Sequence, residues 1–187
     1  MSRGGSTDGR EDKPRAVAAN NAEKAQELAD QANELIAEVL TTGRWPQART
    51  VERFLEGDRL ERVLSLYSRA MSADPNEVAY PWNLASTLKR LGLNDLALGF
   101  ISRAIHVAER SGDEEWSGPD VHIAMAEIAV DAGEADVALA ALARAQELAN
   151  GVRIDDDVVR LLDEIRETND DPDPRGSLIA SLERLPA

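Results

Sequence analysis

The sequence predicts an all-α protein, and three observations carry that expectation. From about Val17 onward, apolar residues recur three and four positions apart rather than alternating. Alanine and leucine dominate over the β-branched and aromatic types that favour strands: the chain is 43% hydrophobic but only 4% aromatic. One set of apolar spacings then recurs along the chain, which points to stacked repeats of one helical unit. The 187 residues suffice for one domain with a modest core.

Taken in order, residues 1–16 are polar, glycine-containing and charged, and read as a disordered tail without the apolar stretch of a signal peptide. Residues 17–168 read as one helical domain. Leu28, Ala32, Leu35 and Val39 form a stripe, with Ala25, Ala29 and Ile36 beside it and Glu23, Lys24, Glu27, Asp30 and Glu34 turned away. Thr41, Thr42 and Gly43 stop this first helix. Pro46 suits the start of a short second helix, whose apolar face is Thr50, Val51, Phe54 and Leu55. A third runs from about Arg59 to Ala73, with Leu60, Val63, Leu64, Tyr67 and Ala70 inward, and Asp74-Pro75-Asn76 breaks it.

Helices of about four turns are expected at Val78–Leu91, Leu93–Arg110, Pro119–Ala132 and Ala135–Ala149, separated by Gly92, by Ser111–Gly118 and by Gly133. Asp155–Thr168 forms another, its first three carboxylates favourably placed against the helix dipole. Residues 169–175 read as an acidic linker, and residues 176–187 as a short helix, Ser177–Leu185, with a tail.

The internal repeat is specific. Leu84-Ala85, Leu88, Gly92, Ala97, Ile101 and Ala104 return as Met125-Ala126, Ala129, Gly133, Ala138, Leu142 and Ala145 at identical spacings. A weaker upstream copy is Thr50-Val51, Phe54, Asp58, Val63, Tyr67, Ala70 and Pro75. Over about Arg44 to Asn150 the chain resembles a tetratricopeptide repeat (TPR) domain. That resemblance implies a right-handed α-solenoid of antiparallel helix pairs, about three repeats with flanking helices. The small residues let paired helices approach and the larger ones fill the adjoining holes. The copies depart from the family pattern at Trp82, one residue later than the usual tryptophan, and at Val51 and Val63, which replace small residues.

The period is uneven: Val63 to Ala97 is 34 residues and Ala97 to Ala138 is 41. The surplus falls around Ser111–Gly118. Either the preceding helix is about a turn longer, or an acidic loop projects with Trp116 in it. Trp116 itself is expected as a plug over the repeat junction or as a partner contact.

Charge and chemistry narrow the function. With 21 basic and 35 acidic residues the formal net charge is −14, which disfavours nucleic acid and anionic membranes as partners. There are no cysteines, so disulfides, thiolate metal sites and thiol nucleophiles are excluded, and a cytoplasmic location fits. The longest wholly apolar run, Val137–Ala143, is far short of the roughly 20 residues of a membrane span. No glycine-rich phosphate loop is present. His106 and His122 lie on different helices without a companion carboxylate motif and read as surface or boundary histidines. The alternating carboxylates of Asp171–Gly176 fail as a calcium loop, because Arg175 and Leu182 occupy ligand positions. No cofactor, metal or catalytic residue is expected.

What the resemblance implies instead is a concave groove lined by the first helix of each pair, an adapter surface for a peptide or helix of another protein, basic in view of the acidic chain. By position it would be lined by Arg49, Glu52 and Arg53, by Trp82, Asn83, Ser86, Lys89 and Arg90, and by Ile123, Glu127, Val130 and Asp131. Asn83 could hold a peptide main chain with its two-sided amide. Glu127 and Asp131 stand where a clamp for a C-terminal carboxylate would need positive charge, which disfavours that clamp. An alternative expectation is a self-assembling homo-oligomer joined through the solenoid ends.

Overall fold

The structure, a computed structural model, describes residues 12–40, 46–113, 116–149 and 155–169. Among the described residues there are eight α-helices and no strand: α1 (Asp12–Leu40), α2 (Ala48–Leu55), α3 (Arg59–Ala73), α4 (Ala79–Arg90), α5 (Asn94–Ser111), α6 (Pro119–Asp131), α7 (Ala135–Ala149) and α8 (Asp155–Asn169). The expectations for residues 1–11, for the stop at Thr41–Gly43, for Glu114 and Glu115, and for residues 170–187 lie outside the described residues. Helix α1 begins at Asp12, inside the segment expected to be tail. Pro14 is compatible with that start, since a proline in the first turn removes only an N–H that has no helical partner.

The repeat organises the packing. Helices α4 and α5 form one antiparallel pair and α6 and α7 another, each joined by a turn of three residues. Gly92 and Gly133 make those turns, with φ of +73° and +77°, in the left-handed region that glycine enters without a Cβ penalty. The Leu93 N–H donates to Leu88 O at 2.9 Å and the Gly92 N–H to Lys89 O at 3.0 Å; Glu134 and Gly133 repeat the pattern on Ala129 and Val130 at 2.8 and 2.9 Å. This double bond closes the helix end and reverses the chain. Ala85, Ala97, Ala126 and Ala138 are completely buried between the paired helices, as close approach requires.

The first pair differs from the sequence expectation. Helix α3 packs along α1, whereas α2 touches both only slightly. The Tyr67 hydroxyl donates to Asn33 Oδ1 at 2.6 Å across this α1–α3 contact. The upstream copy is therefore corrected: its first helix is α1, where Leu28-Ala29 and Ala32 reproduce the spacing of Leu84-Ala85 and Leu88. Ala25, Ala29 and Ala32 are buried, giving α1 the flat face that α3 needs. Helix α2, eight residues long, buries only Phe54 completely. Leu161-Leu162 and Ile165 on α8 repeat the same spacing and are buried against α6 and α7. Helices α1, α4, α6 and α8 thus occupy equivalent places, with α3, α5 and α7 as the second helices of three pairs.

The core is continuous along this stack. One apolar cluster joins α1, α3, α4 and α5 to Val121 and Ile128 of α6; a second joins α6, α7 and α8. The surplus residues of the long period are divided between helix and turn. Helix α5 has 18 residues against 15 in α3 and in α7, and ends at Gly112, whose φ is +69°. Trp116 then folds back onto Trp82, edge to face, with ring centroids 5.1 Å apart.

Candidate binding groove

Each first helix has three faces. Tyr80, Leu84, Ala85 and Leu88 of α4 are buried in the one cluster shared with α1, α3 and α5. The remaining face carries Asn83, Ser86, Lys89 and Arg90, all half-buried. On α6 the equivalent positions are Ala124, Glu127, Val130 and Asp131.

Three helices meet on this face through one line of ion pairs. Lys89 Nζ of α4 lies 2.8 Å from Glu127 Oε2 of α6 and 3.9 Å from Asp131 Oδ2. The other Glu127 oxygen accepts from Arg160 Nη2 of α8 at 2.7 Å, and Arg160 Nη1 donates to Glu164 at 2.9 Å. Burial pushes the Glu127 carboxyl up, but hydrogen bonds and charge from Lys89 and Arg160 hold it below the usual range. Asp131 goes the other way: burial raises its carboxyl, and Lys89 offsets only part of this. Arg90 turns aside and donates from Nη1 to Val39 O of α1 at 3.3 Å.

The structure thus brings together Lys89, Glu127 and Asp131, with Asn83 and Ser86 beside them on α4. The half-buried Asn83 amide makes no side-chain hydrogen bond among the described residues. Three sets of the expected residues lie elsewhere. Trp82 does not line the groove; it packs with Trp116 over Val78, Ala104, Val107 and Ala108, on the side of α5. Arg49, Glu52 and Arg53 are exposed on α2, which is not a first helix of a pair. In the corrected register the positions on α1 that match Asn83, Ser86, Lys89 and Arg90 are Glu27, Asp30, Asn33 and Glu34. Ile123 and Val130 are buried in the cluster shared with α8 rather than lining an open groove.

Arg160 and the α1 acids were missed by sequence reasoning. The signal for both was present: Leu28-Ala29-x2-Ala32 and Leu161-Leu162-x2-Ile165 share the spacing of the central copies. His106 is exposed, whereas His122 of α6 is buried rather than lying at the surface or boundary. Burial lowers the His122 pKa, the Arg144 charge lowers it further, and Glu109 opposes them. Among the described residues no group of three or more His, Asp or Glu could hold a metal ion, and no helix is long and apolar enough to cross a membrane.

No protein-family model matches the chain, and no curated protein matches it. Among solved structures, the N-terminal domain of stress-induced protein-1 (STI-1) from C. elegans is similar over 82% of this chain and 96% of that one, at 12% identity and a TM-score of 0.31. A likeness so slight carries no function across.

Proposed function

We propose that the chain is a cytoplasmic, non-enzymatic adapter of the tetratricopeptide type, and that the face formed by α1, α4 and α6 takes a basic peptide or helix of another protein. The observation that carries this reading is the engagement of the cations there. Lys89, Arg90 and Arg160 all donate to acceptors within the chain, while Glu27, Asp30 and Glu34 stay exposed along α1 and Asp131 along α6. A carboxylate-terminated ligand would have to break those pairs; a lysine- or arginine-rich segment would not. Asn83 supports the same reading, because its amide, which makes no side-chain hydrogen bond among the described residues, can both donate to and accept from a bound main chain.

The test is a titration of a partner isolated by affinity purification, against the parent chain, Asn83→Ala and the double variant Asp30→Lys/Glu34→Lys. Both variants are expected to bind at least about tenfold more weakly, a loss of about 1.4 kcal/mol. Unchanged affinity in both, with intact helicity, overturns the proposal.

A further inference from the structure

Further along the stack, the positions that face the preceding pair are closed: Thr87 is completely buried, and Leu91 and Ile128 are buried. The matching positions on α1 are Gln31 and Leu35, with no pair before them among the described residues. Gln31 is exposed and Leu35 is half-buried. They border a groove of about 580 Å³ between α1 and α3, whose apolar part is Leu35 and the half-buried Leu66. Glu34, on its α1 rim, belongs to the face assigned to a partner above; the other charged residues of the groove lie on α3 or at its start.

The α3 side carries Asp58 and Glu61 together with Arg62 and Arg69, two acids and two bases. In a chain of net charge −14 this strip is neutral, so a second copy can approach here against the least repulsion. None of the four makes an ion pair among the described residues.

The order of the charges says how a second copy fits. Glu61, Ser65 and Arg69 are all exposed and stand four residues apart, so they form one ridge along α3, with about 6 Å between successive members. The ridge reads acid, small, base; read backwards it carries the opposite charges. A two-fold axis at Ser65 sets α3 antiparallel to α3 of the second copy and brings Glu61 of each onto Arg69 of the other. Ser65 is short enough to let the two helices close at the axis, and Leu66 and Leu35 are then covered beside it. A parallel arrangement would set acid on acid and base on base.

We infer that two copies of this chain pair through the α1–α3 groove, α3 against α3 about a two-fold axis at Ser65, with Glu61 of each bound to Arg69 of the other. The contact is isologous, so association stops at two. The second copy does for the first pair what a preceding pair does for the others. Asn83, Glu27 and Asp30 take no part in it, so dimer formation and partner binding are tested separately.

The experiment is sedimentation velocity on the full chain over a concentration series, with circular dichroism to confirm that each variant is folded. The parent is expected to double in mass and go no further. Glu61→Arg and Arg69→Glu, each alone, should remain monomeric, because each sets like charges on both sides of the axis. Mixed in equal amounts, these two variants should form a dimer with each other, since both ion pairs are then restored with reversed sign. The double variant Glu61→Arg/Arg69→Glu should dimerise by itself for the same reason, and Leu66→Asp should not. A parent that stays monomeric to about 1 mM overturns the inference and leaves the groove to another occupant. So does growth beyond a dimer, association that survives both single charge reversals, or a mixture that stays monomeric while the parent dimerises.

Discussion

Ala97 and Ala138 occupy the same place in successive pairs, and neither has any exposed surface. Replacing either with leucine forces several heavy atoms into a closed helix contact, so Ala97→Leu and Ala138→Leu are each expected to cost about 1–3 kcal/mol in denaturant melts. Stability equal to the parent in both would mean that the pairs do not meet there. These alanines were legible because both copies keep the same internal spacing. His122 was not, since a lone histidine carries no marker of depth; its burial follows from its place beside Ala126 on the inward face of α6. Its lowered pKa has a consequence with a definite sign. The unfolded chain takes up the proton first as pH falls below about 6.5, so stability is complete above that value and declines as pH drops toward the folded-state pKa. Melting temperatures between pH 7.5 and 5 should show the decline in the parent and a smaller one in His122→Gln; identical profiles would remove His122 as its source.

At the scale of elements, α4 to α7 were readable because their connections are alike, each closing on a left-handed glycine. The first pair was hidden by its connection. A long segment carrying α2 separates α1 from α3, and the weak copy around Val51 and Phe54 lies nearer in sequence than the true partner. The corrected pairing predicts unequal costs. Ala29→Leu should destabilise by about 1–3 kcal/mol, as a core position crowded against α3. Val51→Ala, on a helix that only caps the pair and leaves this side chain half-buried, should cost less than about 1 kcal/mol. A larger loss at Val51 than at Ala29 would restore α2 as the first helix. The groove was partly readable for the same reason: positions on α4 and α6 followed from the repeat, but the pairing of Lys89 with Glu127 depends on how successive pairs stack. Arg160 enters only through α8, whose leucines and isoleucine carry the spacing without the small residues that mark the central copies.

Over the whole molecule, the net charge of −14 opposes compaction. Raising ionic strength from 0.01 to 1 M shortens the Debye length from about 30 to about 3 Å, so the melting temperature should rise with NaCl while binding of a basic segment weakens. A falling melting temperature would show that pairs such as Lys89–Glu127–Arg160 outweigh the general repulsion. The stack itself makes contacts chiefly between neighbouring helices and pairs, so its architecture rests on α1 heading the row of first helices. A double-mutant cycle on Tyr67→Phe and Asn33→Ala tests that most directly, because their 2.6 Å hydrogen bond joins α3 to α1. The predicted coupling is about 0.5–1.5 kcal/mol, the usual worth of such a bond; effects that add to within about 0.3 kcal/mol would contradict the pairing of α1 with α3.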